Sequence, residues 1–351
     1  MSLSAVIKDI LHEGTAIPAH PLALTADREF DETAQRRLTR YYLASGAGGI
    51  AIAVHSTQFE IRDPGINLLE KVLYTASDEI EKSGNKNFVK VAGVCGPTDQ
   101  AVKEALLAKK YGYHLGLLSM GGLSALTEDE LIERTKAVAE IIPVFGFYLQ
   151  PAVGGRILSF DFWKKFADIP NVHAIKIAAF NRYQTLDAVR AVCHSERRDE
   201  IALYTGNDDN IINDLLTTYR FNINGKLVQK DFRGGLLGHW AVWTHKAASL
   251  LDAVKAYKSG NGENAGEWLS KNVWVTDMNA AIFDPANHFH GCIPGIHEVL
   301  RRQGLLKGTW CLNPDEVLSP GQSDEITRVI QNYPELVDDD FVKDFLQKDA
   351  G

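Results

Sequence analysis

The sequence predicts a (β/α)8 TIM barrel of the α/β class with a helical C-terminal extension, and three observations predict it. Short apolar runs rich in β-branched residues alternate with longer runs of helical period. Eight such units occupy about 245 residues, the ordinary size of this barrel. The apolar runs are nearly unbroken, as strands covered on both faces must be. The pattern assigns residues 14–258 to the barrel, 1–13 to an N-terminal segment and 259–351 to the extension. The rival fold is a doubly wound open sheet. Its phosphate-binding glycine loop should follow a strand, whereas the GAGG at 46–49 precedes one.

The elements follow in order. The first strand is read in AIPAHPLALT at 16–25, and Asp31 opens its helix, with an acidic first turn that suits the helix dipole. GIAIAVHST at 49–57 is the second strand, with a helix around 65–82. FVKVAGVCG at 88–96 is the third, and Thr98 is expected to cap the next helix. HLGLLSMGG at 114–122 is the fourth. Thr127 then begins a helix with Glu130 at capping-box spacing. PVFGFYLQP at 143–151 and NVHAIKIAA at 171–179 are strands five and six, with helices near 159–168 and 182–194. IALYTGND at 201–208 is the seventh, followed by the short helical run NIINDLLTTY. RFNINGKLVQKDF at 220–232 interrupts the rhythm and suggests a hairpin turning at Asn224-Gly225. GGLLGHWAV at 234–242 is the eighth strand and leads into the helix THKAASLLDAVKAYK. Helical stretches near 263–282, 293–305 and 322–349 make up the extension.

Bulk properties exclude several functions. The formal net charge is −8 and no basic block stands out, so nucleic acid is not an expected partner. Cys95, Cys193, Cys292 and Cys311 form no CxxC pair, so the sequence has neither a zinc knuckle nor a thioredoxin-type motif. They are read as reduced packing residues. No run reaches the ~18 apolar residues of a membrane span. The N-terminus carries charges in its apolar run and no cleavage site, unlike a signal peptide. The expected compartment is the cytoplasm.

In a barrel, catalytic groups sit at the C-terminal ends of strands. That rule selects His55, Ser56 and Thr57 after strand two, Ser119 after strand four, Tyr148 in strand five, Lys176 in strand six, and Asn207 and Asp208 after strand seven. Lys176 lies within HAIKIAA. Burial there lowers a lysine's proton affinity and supplies the neutral amine that attacks a carbonyl. A salt-bridged or snorkelling lysine is the alternative. Tyr148 precedes it by 28 residues on the neighbouring strand, so both side chains could face the barrel interior and the phenol could shuttle protons. A plain core tyrosine is the alternative. The hydroxyls of Ser56 and Thr57, or His55, could grip a carboxylate.

Taken together, these motifs resemble the dihydrodipicolinate synthase / N-acetylneuraminate lyase family of class I aldolases. FYLQP is similar to the family's Tyr-Asn-x-Pro strand, NVHAIKIA to its Asn-Val-x-Gly-x-Lys strand, YTGND to its Gly-x-Asp turn and HSTQFE to its Thr-Thr-Gly-Glu loop. GIHEVLRRQGLLKGTWCLNPDEVLS resembles its closing helix and loop, and the likeness runs from about residue 14 to 330. The resemblance implies a Schiff base on Lys176, a proton relay through Tyr148, and Ser56 and Thr57, with His55, on the carboxylate of a 2-oxo acid. Arg156, Asn207 and Asp208 would meet the rest of the substrate. It implies no cofactor, no metal, and a homodimer or homotetramer.

Departures bear on the substrate. The phenol that synthases carry after strand four is replaced by SMGG at 119–122. Val153 occupies the place of their carboxylate-binding arginine, with Arg156 displaced, and Ile177 follows the lysine where an acid is usual. The expected activity is therefore an aldolase, hydro-lyase or dehydratase for pyruvate or a 2-keto-3-deoxy sugar acid. The alternatives are a dihydrodipicolinate synthase proper, a non-catalytic sugar-acid binding or regulatory protein, and a metal-dependent barrel lyase. His288, His290, Cys292 and His297 match no standard metal spacing and are read as structural or surface residues. Asp208, Asp209 and Asp284 could hold a cation, but Asp208 reads more simply as a helix N-cap or turn residue. Trp240 and Trp243 are read as packing residues.

Overall fold

A computed structural model describes residues 2–262 and 264–349. Nine strands are found among them: β1 (Ala16–Pro18), β2 (Gly49–Ile52), β3 (Val89–Val94), β4 (Leu115–Ser119), β5 (Val144–Leu149), β6 (Val172–Ala178), β7 (Ala202–Thr205), β8 (Thr218–Ile223) and β9 (Lys226–Leu237). Helices α1 (Ala5–Glu13), α2 (Glu32–Ala44), α3 (Leu69–Lys82), α4 (Thr98–Lys110), α5 (Glu128–Ala139), α6 (Phe160–Asp168), α7 (Arg182–Cys193), α8 (Ile211–Leu216) and α9 (Thr244–Lys258) accompany them. The tail adds α10 (Ala265–Phe283), α11 (Cys292–Arg302), α12 (Gln322–Asn332) and α13 (Asp339–Asp349).

Eight strands pair in parallel in the order β1-β9-β7-β6-β5-β4-β3-β2. The ring closes between its ends, where Ala19 bridges Ala51 and the His20 N–H donates to the Ala51 carbonyl at 2.8 Å. This is the expected (β/α)8 barrel, and β2 to β5 are buried at every position. Ile17, Val89, Val91, Leu115, Leu117, Phe145, Ala174, Tyr204 and Leu236 fill its interior. Ile7 and Leu11 of α1 join that cluster, and the Tyr204 hydroxyl donates to the Leu11 carbonyl at 3.1 Å. The N-terminal helix thus plugs the end opposite the functional mouth.

Several elements differ from the sequence reading. The first strand ends at Pro18, because Pro18 and Pro21 remove ladder donors. The second ends at Ile52 and gives way to a 3-10 turn at His55–Thr57. The hairpin at Asn224-Gly225 forms, with φ of 52° and 78° as a tight two-residue turn needs. It is no separate insertion, however: its second arm runs on as the eighth barrel strand, and residues 239–241 form a 3-10 turn. Thr98 does not cap α4. The helix starts at Thr98 itself, after Pro97, and no side-chain cap bond forms there. Asp31 and the Thr127–Glu130 box do cap α2 and α5. The stretch 322–349 is two helices, broken where Pro334 opens a 3-10 turn. Residue 263, where the first tail helix was expected to begin, lies outside the described residues; the helix runs from Ala265.

Candidate active site

The C-terminal mouth of the barrel holds a cavity of about 570 Å³, open space at its entrance included. Lys176, His55, Ser56 and Asp208 line it together with Phe147, Phe180 and Gly206. The tail supplies the far wall, with Phe283, Phe289 and Cys292. Phe180 and Phe289 meet edge to face over the cavity, centroids 6.0 Å apart.

One irregularity decides which side chains point inward. Val144 pairs with Val172, 28 residues on, but Phe145 pairs with Ala174, 29 residues on. His173 is the extra residue of a bulge. Beyond it Ala174, Lys176 and Ala178 face the interior, whereas Val172 faces out. A one-residue slip exchanges the faces of every later side chain. Lys176 therefore lies beside Phe147, its Nζ 4.4 Å from the centre of that ring.

Tyr148 stays on the opposite face, which corrects the expectation that phenol and amine share the interior. Its ring packs on Trp163 with centroids 5.1 Å apart, between the barrel and α6, and it is 1% exposed. Its hydroxyl accepts from the Leu158 N–H at 3.5 Å. It does not line the cavity.

Burial pushes the Lys176 ammonium below the ordinary lysine range, and the charge of Asp208 opposes that shift. Burial likewise raises Asp208, against the pull of Lys176 and of the His239 N–H, which donates to its Oδ1 at 2.8 Å. Asp208 is thus no helix N-cap; Asn210 precedes α8 instead. Gly206 makes room for the lysine: a Cβ there would sit 2.4 Å from Lys176 Cε. His55 is pushed down to about 4 by burial and then by Lys176, so it is neutral at pH 7. Ser56 is 2% exposed and its hydroxyl has no partner among the described residues.

The other candidates do not reach the cavity. The Thr57 hydroxyl donates to the His20 carbonyl at 2.7 Å and accepts from the Val54 N–H, closing the turn. Arg156 donates to the carbonyls of Leu123 and Leu126, both at 2.9 Å, and braces the loop before α5. Asn207 donates to Asp214 at 2.8 Å and accepts from the Phe180 N–H at 3.0 Å, which fixes the β7 turn. Ser119 accepts from the Gly121 N–H. His288 and His290 are exposed, and His297 is buried in α11. Asp284 is tied to Ser319, Asn287 and the Gly291 N–H. Trp240 and Trp243 are buried packing residues.

Strained backbone marks this end of the barrel. Ala53, Gln58, Phe180, Asp284, His288 and Phe289 all have positive φ between 48° and 67°. Such conformations cost energy and persist where surrounding structure enforces them, often at binding sites. The sequence carried no signal for the contribution of Phe180, Phe289 or Cys292. Nor did it for Phe147, because the pairing of Phe147 with Lys176 follows from the bulge at His173.

No protein-family model matches the chain. The 4-hydroxy-tetrahydrodipicolinate synthase of Clostridium novyi (strain NT) is 30% identical over 130 residues, 36% of this chain and 42% of that enzyme. The match therefore spans less than half of its relative. Solved structures resemble the chain along most of its length. N-acetylneuraminate lyase from Fusobacterium nucleatum has a TM-score of 0.70 at 14% identity, over 92% of this chain and 99% of the other. YagE of E. coli K12, a prophage protein belonging to the dihydrodipicolinic acid synthase family and solved in complex with pyruvate, has 0.72 at 18%, over 91% and 97%. Dihydrodipicolinate synthase from Oceanobacillus iheyensis has 0.72 at 17%, over 93% and 99%. The relatives found in sequence and in fold are members of the family that the motifs resemble.

Proposed function

We propose that this protein is a class I lyase that acts on a 2-oxo acid, pyruvate or a 2-keto-3-deoxy sugar acid, through a Schiff base on Lys176. The observation that carries the reading is the Lys176 amine itself. It is buried, lowered in proton affinity, and placed in an open cavity beside an acid and an unpaired hydroxyl. The relatives' names and the pyruvate complex of YagE support the same choice.

The neutral amine attacks the keto carbon, and loss of water from the carbinolamine leaves a protonated imine. Ser56, with the His55 ring beside it, receives the substrate carboxylate. In retro-aldol cleavage the C3–C4 bond breaks, its electron pair moves toward the iminium to give an enamine, and the C4 hydroxyl proton leaves for a base. With Tyr148 on the outer face, we assign that base to Asp208. It then returns the proton to C3, and water releases the 2-oxo acid. A raised carboxyl is suited to both transfers. Phe147, Phe180 and Phe289 keep the imine from bulk water. A cytoplasmic homodimer or homotetramer is part of this reading.

Borohydride reduction with pyruvate, followed by intact mass measurement and peptide mapping, tests it. A stable adduct on Lys176, absent from Lys176→Ala, is expected. No adduct with any 2-oxo acid would leave the non-catalytic binder, which the outward face of Tyr148 favours. Activity lost to EDTA but kept by Lys176→Ala would establish a metal-dependent lyase instead.

A further inference from the structure

Outside the Lys176 cavity lies a second, more open chamber of about 630 Å³, open space at its entrance included, and His55, Val153 and Phe289 line both spaces. The shared lining offers a molecule held at the amine and longer than pyruvate a way into it. We infer that this outer chamber selects substrates whose far end is uncharged and hydroxylated, and rejects those that end in a second carboxylate. The inference rests on the Lys176 reading and names the substrate class of that site.

Gln58 provides the first observation. It is 1% exposed and held at a φ of 67°. Its Oε1 accepts from the Leu312 N–H at 2.6 Å, which fixes the amide, while its Nε2 has no partner among the described residues. A buried donor without an acceptor is costly, and a ligand oxygen would relieve it. Glu60 and Glu316 provide the second. Both line the chamber, from the loop after β2 and the segment before α12. Burial and then Glu60 push Glu316 up to about 7. No lysine or arginine is among the described residues that line the chamber; the basic side chains there are the imidazoles of His55, held neutral, and His288.

Each ligand chemistry meets this set differently. A carboxylate would satisfy Gln58 but meet the like charge of Glu60 and oppose the ionisation of Glu316. An ammonium would satisfy the acids and leave the Gln58 amide unmet. A hydroxyl both donates and accepts, so a hydroxylated chain serves all three. The arginine that could have drawn in a second carboxylate, Arg156, is spent on the Leu123 and Leu126 carbonyls.

The test compares a 2-keto-3-deoxy aldonate with the aldarate of equal length, which carries a carboxylate in place of the terminal CH2OH. Pyruvate release gives kcat/KM for the wild type, Glu60→Gln, Glu316→Gln and the double variant, with thermal melts to show that each is folded. The aldonate is expected to lead by roughly tenfold to a hundredfold. Each variant should narrow the gap by raising the rate on the aldarate. An aldarate processed equally well, or a ratio unmoved by the double variant, overturns the inference. If neither compound is cleaved and borohydride traps nothing, the Schiff-base reading fails. Calorimetric binding of the two compounds then decides the chamber alone: tighter aldonate binding supports the selection, and equal or tighter aldarate binding refutes it.

Discussion

Tyr148→Phe separates the motif from the geometry. If the phenol relays protons at the imine, its removal should cost the ~10²–10⁴-fold typical of a lost general acid or base. The structure argues for a small effect. The hydroxyl lies outside the barrel, makes one long bond of 3.5 Å to the Leu158 N–H, and is separated from Lys176 by the sheet itself. A bond of that length is near the limit of what counts as one, so its loss should cost no more than about 1 kcal/mol of stability. The ring keeps its place on Trp163. We expect kcat/KM within roughly threefold of wild type, and a melting temperature within a few degrees. Asp208→Asn is the counterpart. Its carbonyl can still accept from the His239 N–H, so the β7 turn should hold while the proton carrier is gone. Cleavage should fall by ~10²–10⁴-fold. Because the Asp208 charge favours the Lys176 ammonium, its removal should move the alkaline rise in borohydride trapping to lower pH. Pyruvate release measured by a coupled dehydrogenase, and trapping rate against pH, give both readouts. A collapse of activity in Tyr148→Phe with near-normal activity in Asp208→Asn would refute this account of the site.

Two further outcomes follow from the same geometry. Gly206→Ala would set a Cβ 2.4 Å from Lys176 Cε and 2.8 Å from the Ala178 Cβ, so the lysine must shift; trapping by borohydride should slow at least tenfold, and an unchanged rate would mean the amine is not confined there. His20, fully buried, is held down to about 4 by burial, against 6.5 when unfolded. Only the unfolded chain takes up that proton below pH 6.5, so stability is lost as pH falls from 6.5 toward 4, by roughly 3 kcal/mol for this residue. Glu316, raised by burial, acts in the opposite sense as pH rises, so the comparison to make is urea unfolding of wild type against His20→Asn. The variant should show a shallower acid loss, and an identical slope would count against a buried neutral imidazole.

The barrel was legible because its determinants are repetitive: apolar runs buried on both faces, and punctuation at Asp31, Thr127 and Asn224-Gly225. Lys176 was legible for a related reason, since an ionisable residue inside such a run stands out against it. Tyr148 was misread because a spacing of 28 residues says nothing of the face on which either side chain lies. That is settled by the bulge at His173, and a bulge has no sequence signature beyond the backbone that makes it. Gln58, Glu60, Phe289 and Glu316 were invisible for a different reason. They lie on loops and on a tail that no period connects to the barrel, and it is the seating of the tail, with Phe289, Ile293 of α11 and Glu316, against the loop after β2 that brings them together. The two kinds of miss have one consequence. The residue that the motif makes easiest to name lies outside the cavity, while the groups that would tell one 2-oxo acid from another come from the loop after β2 and from the tail, where no period guides the reading. A change of substrate on this barrel can therefore proceed through the tail and the loop after β2, leaving the strand that holds the amine untouched.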